Sequence, residues 1–253
     1  VYIEDRGDGP ALLCIHGLGG GAYFFASLAA ALQSHYRVIA LDLPGSGYSP
    51  RAELFSFDDC AELVVELLKQ RGIAAACLLG HSMGTIIALK ATALAPELTR
   101  GLIFVGGLPE ALPSAKERLI ERARRIREHG MSGMGRELLS VLTAPRFAQQ
   151  FPDKAALLER VLESNDGGAY ADIAEALAGA SATGCLSKIN VPSLALAGSD
   201  DRFAPPQAMK KFSAQLPVHT AYREFAECGH LPFFEHPEQF NSAVRSFLDQ
   251  IVS

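Results

Sequence analysis

"LLGHSMGTIIAL", residues 78–89, runs as a short apolar strand and then, across one serine, as an apolar helix. Ser82 stands there between Gly80 and Gly84. A G-x-S-x-G spacing with a strand before it and a helix after it is the pattern of a nucleophile elbow. At such a corner the serine backbone is strained, and strand and helix approach so closely that side chains two positions before and after would clash. The helix that begins here aims its N-terminal N–H groups and the positive end of its dipole at the same crevice. So short a pattern also arises by chance in loops. The rest of the chain must therefore supply the base and the acid that a serine nucleophile needs.

Apolar runs of strand length recur at 11–16, 36–42, 76–80, 101–106, 193–198 and 220–225. Short continuous apolar runs suit parallel strands buried on both faces. Helical spacing fills most of the gaps. In "FDDCAELVVELLKQRG", residues 57–72, acids open the helix, Leu63, Val64, Leu67 and Leu68 form a stripe, and Gly72 closes it. The alternation predicts an α/β fold, a mostly parallel sheet with helices on both faces.

Between about residues 110 and 188 the strand signal disappears. "SAKERLIERARRIREHG", residues 114–130, reads as an amphipathic helix with Leu119, Ile120, Ala123 and Ile126 on one side and a solvated face of mixed charge on the other. Further helices are expected at about 132–143, 154–165 and 168–180. An all-helical insertion that follows a strand is expected to sit on top of the sheet. The chain then divides into a core, 1–109 with 189–253, and a helical cap, 110–188.

Ligands of an open parallel sheet gather beyond the carboxyl ends of its strands. Two later stretches offer partners for Ser82 there. "VPSLALAGSDDRFAPP" ends a strand with Asp200 and Asp201 before a proline-rich turn. "ECGHLPFFEHPEQF" puts His230 in a glycine-containing loop after the next strand. The order serine, acid, histidine is that of the α/β-hydrolases.

With these segments the chain resembles the α/β-hydrolase fold family over nearly its whole length. "LLCIHGLGG" looks like the family's oxyanion strand and turn, "VIALDLPGSGYSP" like its D-x-x-G-x-G-x-S turn, "GHSMG" like its elbow, and "GSDDRFAPP" and "CGHLPFFEHPEQF" like its acid and histidine loops. The resemblance implies a Ser82, Asp201, His230 triad, because the family's acid stands three residues after the glycine of its loop, here Gly198. It implies an oxyanion hole made by the backbone N–H groups of Leu18 and Met83, and a helical cap inserted after the sixth strand. It also implies a further short strand ahead of "VYIEDRG", here missing or trimmed. Serine at the elbow sets the chain apart from the relatives that use an aspartate nucleophile.

The stretch "APRFAQQFPDKAALLERVLESNDGGAYADIAEAL" is similar to the lid of 3-oxoadipate enol-lactonases and related aromatic-degradation hydrolases, although the chain has no tryptophan. That similarity implies a small-molecule ester or lactone as substrate and a carboxylate-binding role for Arg146, with an exposed surface arginine as the alternative. Phe147, Phe151 and Tyr170 are candidates for the pocket wall, with core packing in the cap as the alternative for each. The same scaffold also serves carbon–carbon hydrolases of ring-cleavage products and cofactor-free perhydrolases. The triad does not choose among these reactions, and none of them needs a cofactor or a metal.

Two readings lie outside that class. Gly17, Gly19 and Ala22 with Asp42, 20 residues beyond Ala22, form a passable dinucleotide fingerprint. That fingerprint leaves the serine corner and the acid and histidine loops unexplained. A non-catalytic ligand receptor on the same scaffold is the other reading, and an intact triad counts against it.

The 253 residues are 49% hydrophobic with a formal net charge of -5, which provides for a substantial core and argues against a nucleic-acid surface. No apolar run approaches a membrane span of roughly 20 residues, and the first residues have no signal-peptide pattern. The five cysteines, Cys14, Cys60, Cys77, Cys185 and Cys228, are scattered without metal or disulfide spacing. A cytoplasmic protein with reduced thiols is the expectation, with no membrane partner and with homo-oligomerisation left open. His81, His16, Asp42 and His236 read as structural. His35, His129 and His219 are isolated, and Cys228 has only its nearness to His230 to suggest chemistry.

Overall fold

A computed structural model describes residues 1–252. The strands are β1 (Ile3–Arg6), β2 (Ala11–Ile15), β3 (Arg37–Leu41), β4 (Ala76–His81), β5 (Thr99–Val105), β6 (Ser193–Gly198) and β7 (Thr220–Phe225). They form one sheet in the order β1-β3-β2-β4-β5-β6-β7. Only β1 runs antiparallel, beside β3. Every residue of β2, β4 and β6 is buried, so these strands read as unbroken apolar runs rather than as alternations. Ile15 lies opposite Gly80, His81 opposite Val105, and Gly198 opposite Phe225. The carboxyl ends of the strands therefore finish near one edge, and the loops after them meet there.

The core helices begin with α1 (Ala26–Leu32), α2 (Phe57–Gln70) and α3 (Gly84–Leu94). Ser56 caps α2 by accepting the Asp59 N–H at 3.2 Å, and Asp58 and Asp59 complement the positive dipole end of its first turn. Its Val64, Leu67 and Leu68 are buried, as the stripe predicts.

Between β5 and β6 lie α4 (Pro113–His129), α5 (Met134–Leu142), α6 (Phe147–Gln150), α7 (Pro152–Glu163) and α8 (Gly167–Gly179). No strand longer than an isolated bridge occurs there, and that bridge, Glu110 to Ser181, joins the start of the insertion to its end. Pro113, whose missing N–H would be unpaired anyway, opens α4. Asp166 caps α8 by accepting the Ala169 N–H at 2.7 Å. The chain finishes with α9 (Pro206–Ser213), α10 (Pro232–Glu235) and α11 (Pro237–Val252). Helix α1 packs on α11 and α2 packs on α3. No helix among the described residues is long and apolar enough to cross a membrane.

Two expectations need correction. The insertion follows the fifth strand of this sheet, not the sixth, because no strand precedes Ile3 among the described residues. On α4 the buried stripe is Leu119, Arg122, Ala123 and Ile126, while Ile120 is 55% exposed. Positions 119, 122, 123 and 126 follow the i, i+3, i+4, i+7 rule, and Ile120 falls off that line onto the solvent side.

The turns after β2 and β3 are fastened to each other. Buried Asp42 accepts the Ala22 N–H at 2.6 Å and the Tyr48 N–H at 2.8 Å. His16 Nε2 accepts the Leu43 N–H at 2.9 Å, and its Nδ1 donates to the Gly17 carbonyl at 2.7 Å. Burial holds this imidazole below its usual pKa, which keeps Nε2 an acceptor. Asp42→Ala removes the acceptor for two amides. It should cost about 2–4 kcal/mol, measured as a loss of unfolding free energy in denaturant.

Candidate active site

β4 ends at His81 and α3 begins at Gly84, so Ser82 occupies the corner between them. Its φ is 54°, left-handed for a side chain that gains nothing from that region, at a typical cost of about 1–3 kcal/mol. Hydrogen bonds on both sides hold the corner. Ser82 N–H donates to the Val105 carbonyl at 2.9 Å, and Thr85 N–H donates to the Ser82 carbonyl at 3.0 Å. A Cβ on Gly84 would collide with the Ile15 carbonyl, and one on Gly80 would meet the Gly84 backbone. These are the clearances that the G-x-S-x-G spacing predicts.

His230 Nδ1 donates to Asp201 Oδ2 at 2.8 Å, with both side chains sealed from solvent. The other carboxylate oxygen of Asp201 accepts the Phe203 N–H at 2.8 Å and the Ala204 N–H at 3.0 Å. The proton on Nδ1 leaves Nε2 as the basic nitrogen of a neutral imidazole. Asp200 is exposed and belongs to a different cleft. Gly106, with φ of 51°, ends β5 beneath this pair. A Cβ there would stand 2.8 Å from Asp201 Oδ2 and 3.0 Å from His230 Nδ1, so only glycine leaves the pair its room.

Ser82 and His230 line one cavity and share no direct hydrogen bond in this structure. Leu18 and Met83 line it as well. Neither of their amides donates to any group among the described residues. The Gly20 N–H donates back to the Gly17 carbonyl at 3.0 Å and rounds the turn that presents Leu18. Two unpaired N–H donors beside a serine and a basic imidazole can stabilise a tetrahedral oxyanion.

His81 is structural in geometry. Its Nε2 donates to the His230 carbonyl at 3.1 Å, and burial, reinforced by neighbouring His230, holds its pKa well below the ordinary imidazole value. A neutral His81 thus steadies the loop of His230. Cys228 is buried, and burial together with the Glu235 carboxyl pushes its thiol far above its usual range, which removes it as a nucleophile. Asp42 is buried and holds the turns after β2 and β3 through an amide on each oxygen, which is a structural role rather than contact with the ribose of a dinucleotide.

Glu235 had no signal in the sequence. It is buried and accepts the Ala144 N–H at 2.7 Å, the Gly229 N–H at 2.9 Å and the Leu231 N–H at 3.4 Å. Burial pushes its carboxyl up, and the three amides pull in the other direction. The His230 N–H donates to the Leu142 carbonyl at 2.7 Å. Glu235 and Leu142 together join the histidine loop to the helical insertion.

The cavity, with its open mouth and the solvent space adjoining it, takes in about 790 Å3. Leu108, Leu119, Leu138, Leu142, Leu177 and Phe203 make much of its wall, so helices of the insertion cover Ser82. Of the cap residues singled out in the sequence, Tyr170 lines this cavity. Arg146, Phe147 and Phe151 do not. They line a second cleft with Gln150, Asp200, Glu227 and His236. Phe147 is buried between Phe151 and Phe234, with ring centroids 5.6 and 5.7 Å away, which is the packing alternative. The spacing of "APRFAQQF" alone did not indicate which side of the insertion these residues take.

The alpha/beta hydrolase fold family matches residues 10–237. The chain belongs to that family. Among curated relatives, the polyketide synthase ThaQ of Burkholderia thailandensis is 32% identical over 249 residues, which take in 96% of this chain and 12% of the synthase. The pimeloyl-[acyl-carrier protein] methyl ester esterase of Aliivibrio fischeri is 28% identical over 270 residues, covering 99% of this chain and 98% of the esterase. Among solved structures, the enol-lactonase of Burkholderia xenovorans LB400 superposes with a TM-score of 0.91 at 23% identity, over 98% of this chain and 96% of that one. The likeness to enol-lactonases is thus a likeness of fold.

In this hydrolase-fold chain, Glu235→Ala would strand the amides of Ala144, Gly229 and Leu231. We expect a loss of about 2–4 kcal/mol in unfolding free energy, accompanied by faster hydrogen exchange at those three amides.

Proposed function

We propose that this protein is a serine hydrolase that cleaves a carboxylic ester or enol-lactone of a small molecule through an acyl-enzyme. The observation that carries the reading is a left-handed Ser82 and a buried Asp201–His230 pair opening on one apolar cavity. The family relation supports it, as does the curated relative that is named an ester hydrolase over its full length.

Each group then has a role. His230 Nε2 takes the proton from Ser82 Oγ as that oxygen attacks the carbonyl carbon. Asp201 holds the Nδ1–H tautomer and stabilises the imidazolium that forms. The Leu18 and Met83 amides receive the oxyanion, and one such donor is worth roughly 3–4 kcal/mol of barrier. The imidazolium returns its proton to the leaving alkoxide, which leaves an acyl group on Ser82. Water, deprotonated by His230, then releases the acid and restores the serine. Because Ser82 and His230 share no hydrogen bond before substrate arrives, their contact forms in the Michaelis complex, as is common for catalytic pairs.

Turnover of short p-nitrophenyl esters tests the reading. Ser82→Ala and His230→Ala should each lower kcat by about 10^4-fold or more with unchanged circular dichroism, because the triad acts as a unit. A folded Ser82→Ala protein that still turned over esters would overturn the assignment.

A second comparison separates the two neighbouring acids. Asp201→Asn should lose roughly 10^4-fold in kcat, because the amide favours the wrong imidazole tautomer, and the exposed Asp200→Asn should lose far less. Equal losses would remove Asp201 from its role.

A further inference from the structure

Helix α4 turns one arginine inward. Arg122 is 9% exposed, lies on the same stripe as Leu119 and Ile126, and lines the cavity that holds Ser82. The arginines that follow it on the helix are paired outward, and Arg118 before it is exposed to solvent. Arg124 bonds Glu121 and Glu128, Arg125 bonds Glu137, and Arg127 bonds Asp172 and Glu175. Arg122 has no such partner.

Among the described residues no carboxylate stands within ion-pair distance of it. Its Nε is sealed from solvent without a hydrogen bond. Its Nη1 makes one long contact, 3.5 Å, to the Tyr170 hydroxyl. Its Cζ lies 5.9 Å from the centre of the Phe203 ring. Glu110 reaches the same cavity, but it pairs with Lys116 at 3.7 Å.

A buried guanidinium without a counter-ion is expensive, and a protein keeps one only where something compensates. Apart from Glu110, Tyr170 and the Ser82–His230 end, the surrounding wall is mostly apolar, and Arg122 is the one cation in it among the described residues, so an anion entering the cavity meets it in a medium of low dielectric. A planar fork of N–H donors matches a carboxylate in shape as well as in charge. A single positive charge also suits a singly charged carboxylate better than a doubly charged phosphate.

We propose that Arg122 anchors a carboxylate on the non-reacting part of the substrate. The preferred substrates are then half-esters of dicarboxylic acids, or lactones bearing a free carboxylate. This rests on the ester-hydrolase reading above and names its substrate class. Tyr170 shares the anchor through its hydroxyl, while Ser82 attacks the ester in the same cavity, whose wall Leu119, Leu138 and Leu142 make apolar.

The test compares kcat/KM for monomethyl esters of the dicarboxylic acids from succinate to suberate with methyl alkanoates of matching length. Wild type should prefer the carboxylated ester by about tenfold or more at its best length, the usual worth of a hydrogen bond to a charged group. The preference should collapse in Arg122→Gln, mainly through KM, and return in part in Arg122→Lys, which keeps the charge without the fork. A wild type that prefers the neutral series, or an Arg122→Gln protein with the wild-type preference, would overturn the proposal.

A binding measurement keeps the proposal separate from the hydrolase reading and from any folding defect of the variants. Hexanoate should raise the melting temperature of wild type and of Ser82→Ala, and hexanamide should not. Stabilisation by hexanoate alone with no ester turnover would sink the hydrolase reading and leave the anion site standing. Equal effects of the two ligands, or none, would sink the anion site whatever the esters do.

Discussion

The molecule is organised around a steric constraint at one corner. Ser82 sits at φ of 54° only because β4 hands its backbone to α3 without a loop, and that handover is possible only where Gly84 can press against the carbonyl of Ile15. The hydrogen bond from Ser82 N–H to Val105 still belongs to the sheet, while the next bond, from Thr85 N–H to Ser82, already belongs to the helix. The strain is local, and the packing that sustains it is spread over the centre of the protein. The buried residues of α3 run from Gly84 through Leu89, and the strands on either side of β4 are buried on both faces. A surface loop could not impose such a backbone, because it would relax.

The second half of the site depends on the same economy of space. The Asp201–His230 pair stands where Gly106 leaves room, and the loops that carry the two residues are bonded to each other from the Asp200 N–H to the Cys228 carbonyl at 2.7 Å. What distinguishes this pair is its attachment to the helical insertion. The His230 N–H donates to Leu142, and Glu235 bridges Ala144 on one side and the histidine loop on the other. The basic imidazole is therefore positioned by the cover as much as by the sheet. A change in the packing of α5 would reach His230 through two hydrogen bonds, without touching the serine.

The cavity itself combines apolar walls with a few polar groups, the usual composition of a small-molecule site. In the proposed reaction, low polarity would strengthen contacts of the Leu18 and Met83 amides with an oxyanion, and it raises the cost of leaving Arg122 unpaired. Under the proposed reading, both effects favour a ligand that carries a carbonyl and an anionic group. The second cleft, which Arg146 lines, shares no lining residue with the cavity of Ser82.

Local order was legible in the sequence. Continuous apolar runs marked the five strands β2 to β6, since a parallel strand covered on both faces needs no alternation, while the edge strand β7 carries Arg223 and Glu224 and is only partly buried. The strand β1 was not marked, because Glu4, Asp5 and Arg6 give it no apolar run and only pairing with β3 makes it a strand. The elbow was legible because its chemistry and its sterics fall within five consecutive residues, 80–84. Short motifs also carried Asp201 and His230 to the ends of their strands. Their meeting 29 positions apart, at 2.8 Å, was a matter of sheet register and of the room beside Gly106. Helical periodicity predicted that α4 buries one side, yet it placed Ile120 on that side and left Arg122 among the solvated charges. Sequence spacing identifies a stripe only to within one residue of rotation, and charge argues against burial until a cavity is there to receive it. The tertiary structure decided that rotation by packing α4 along α8 over the serine, which turned Ile120 to water and Arg122 inward.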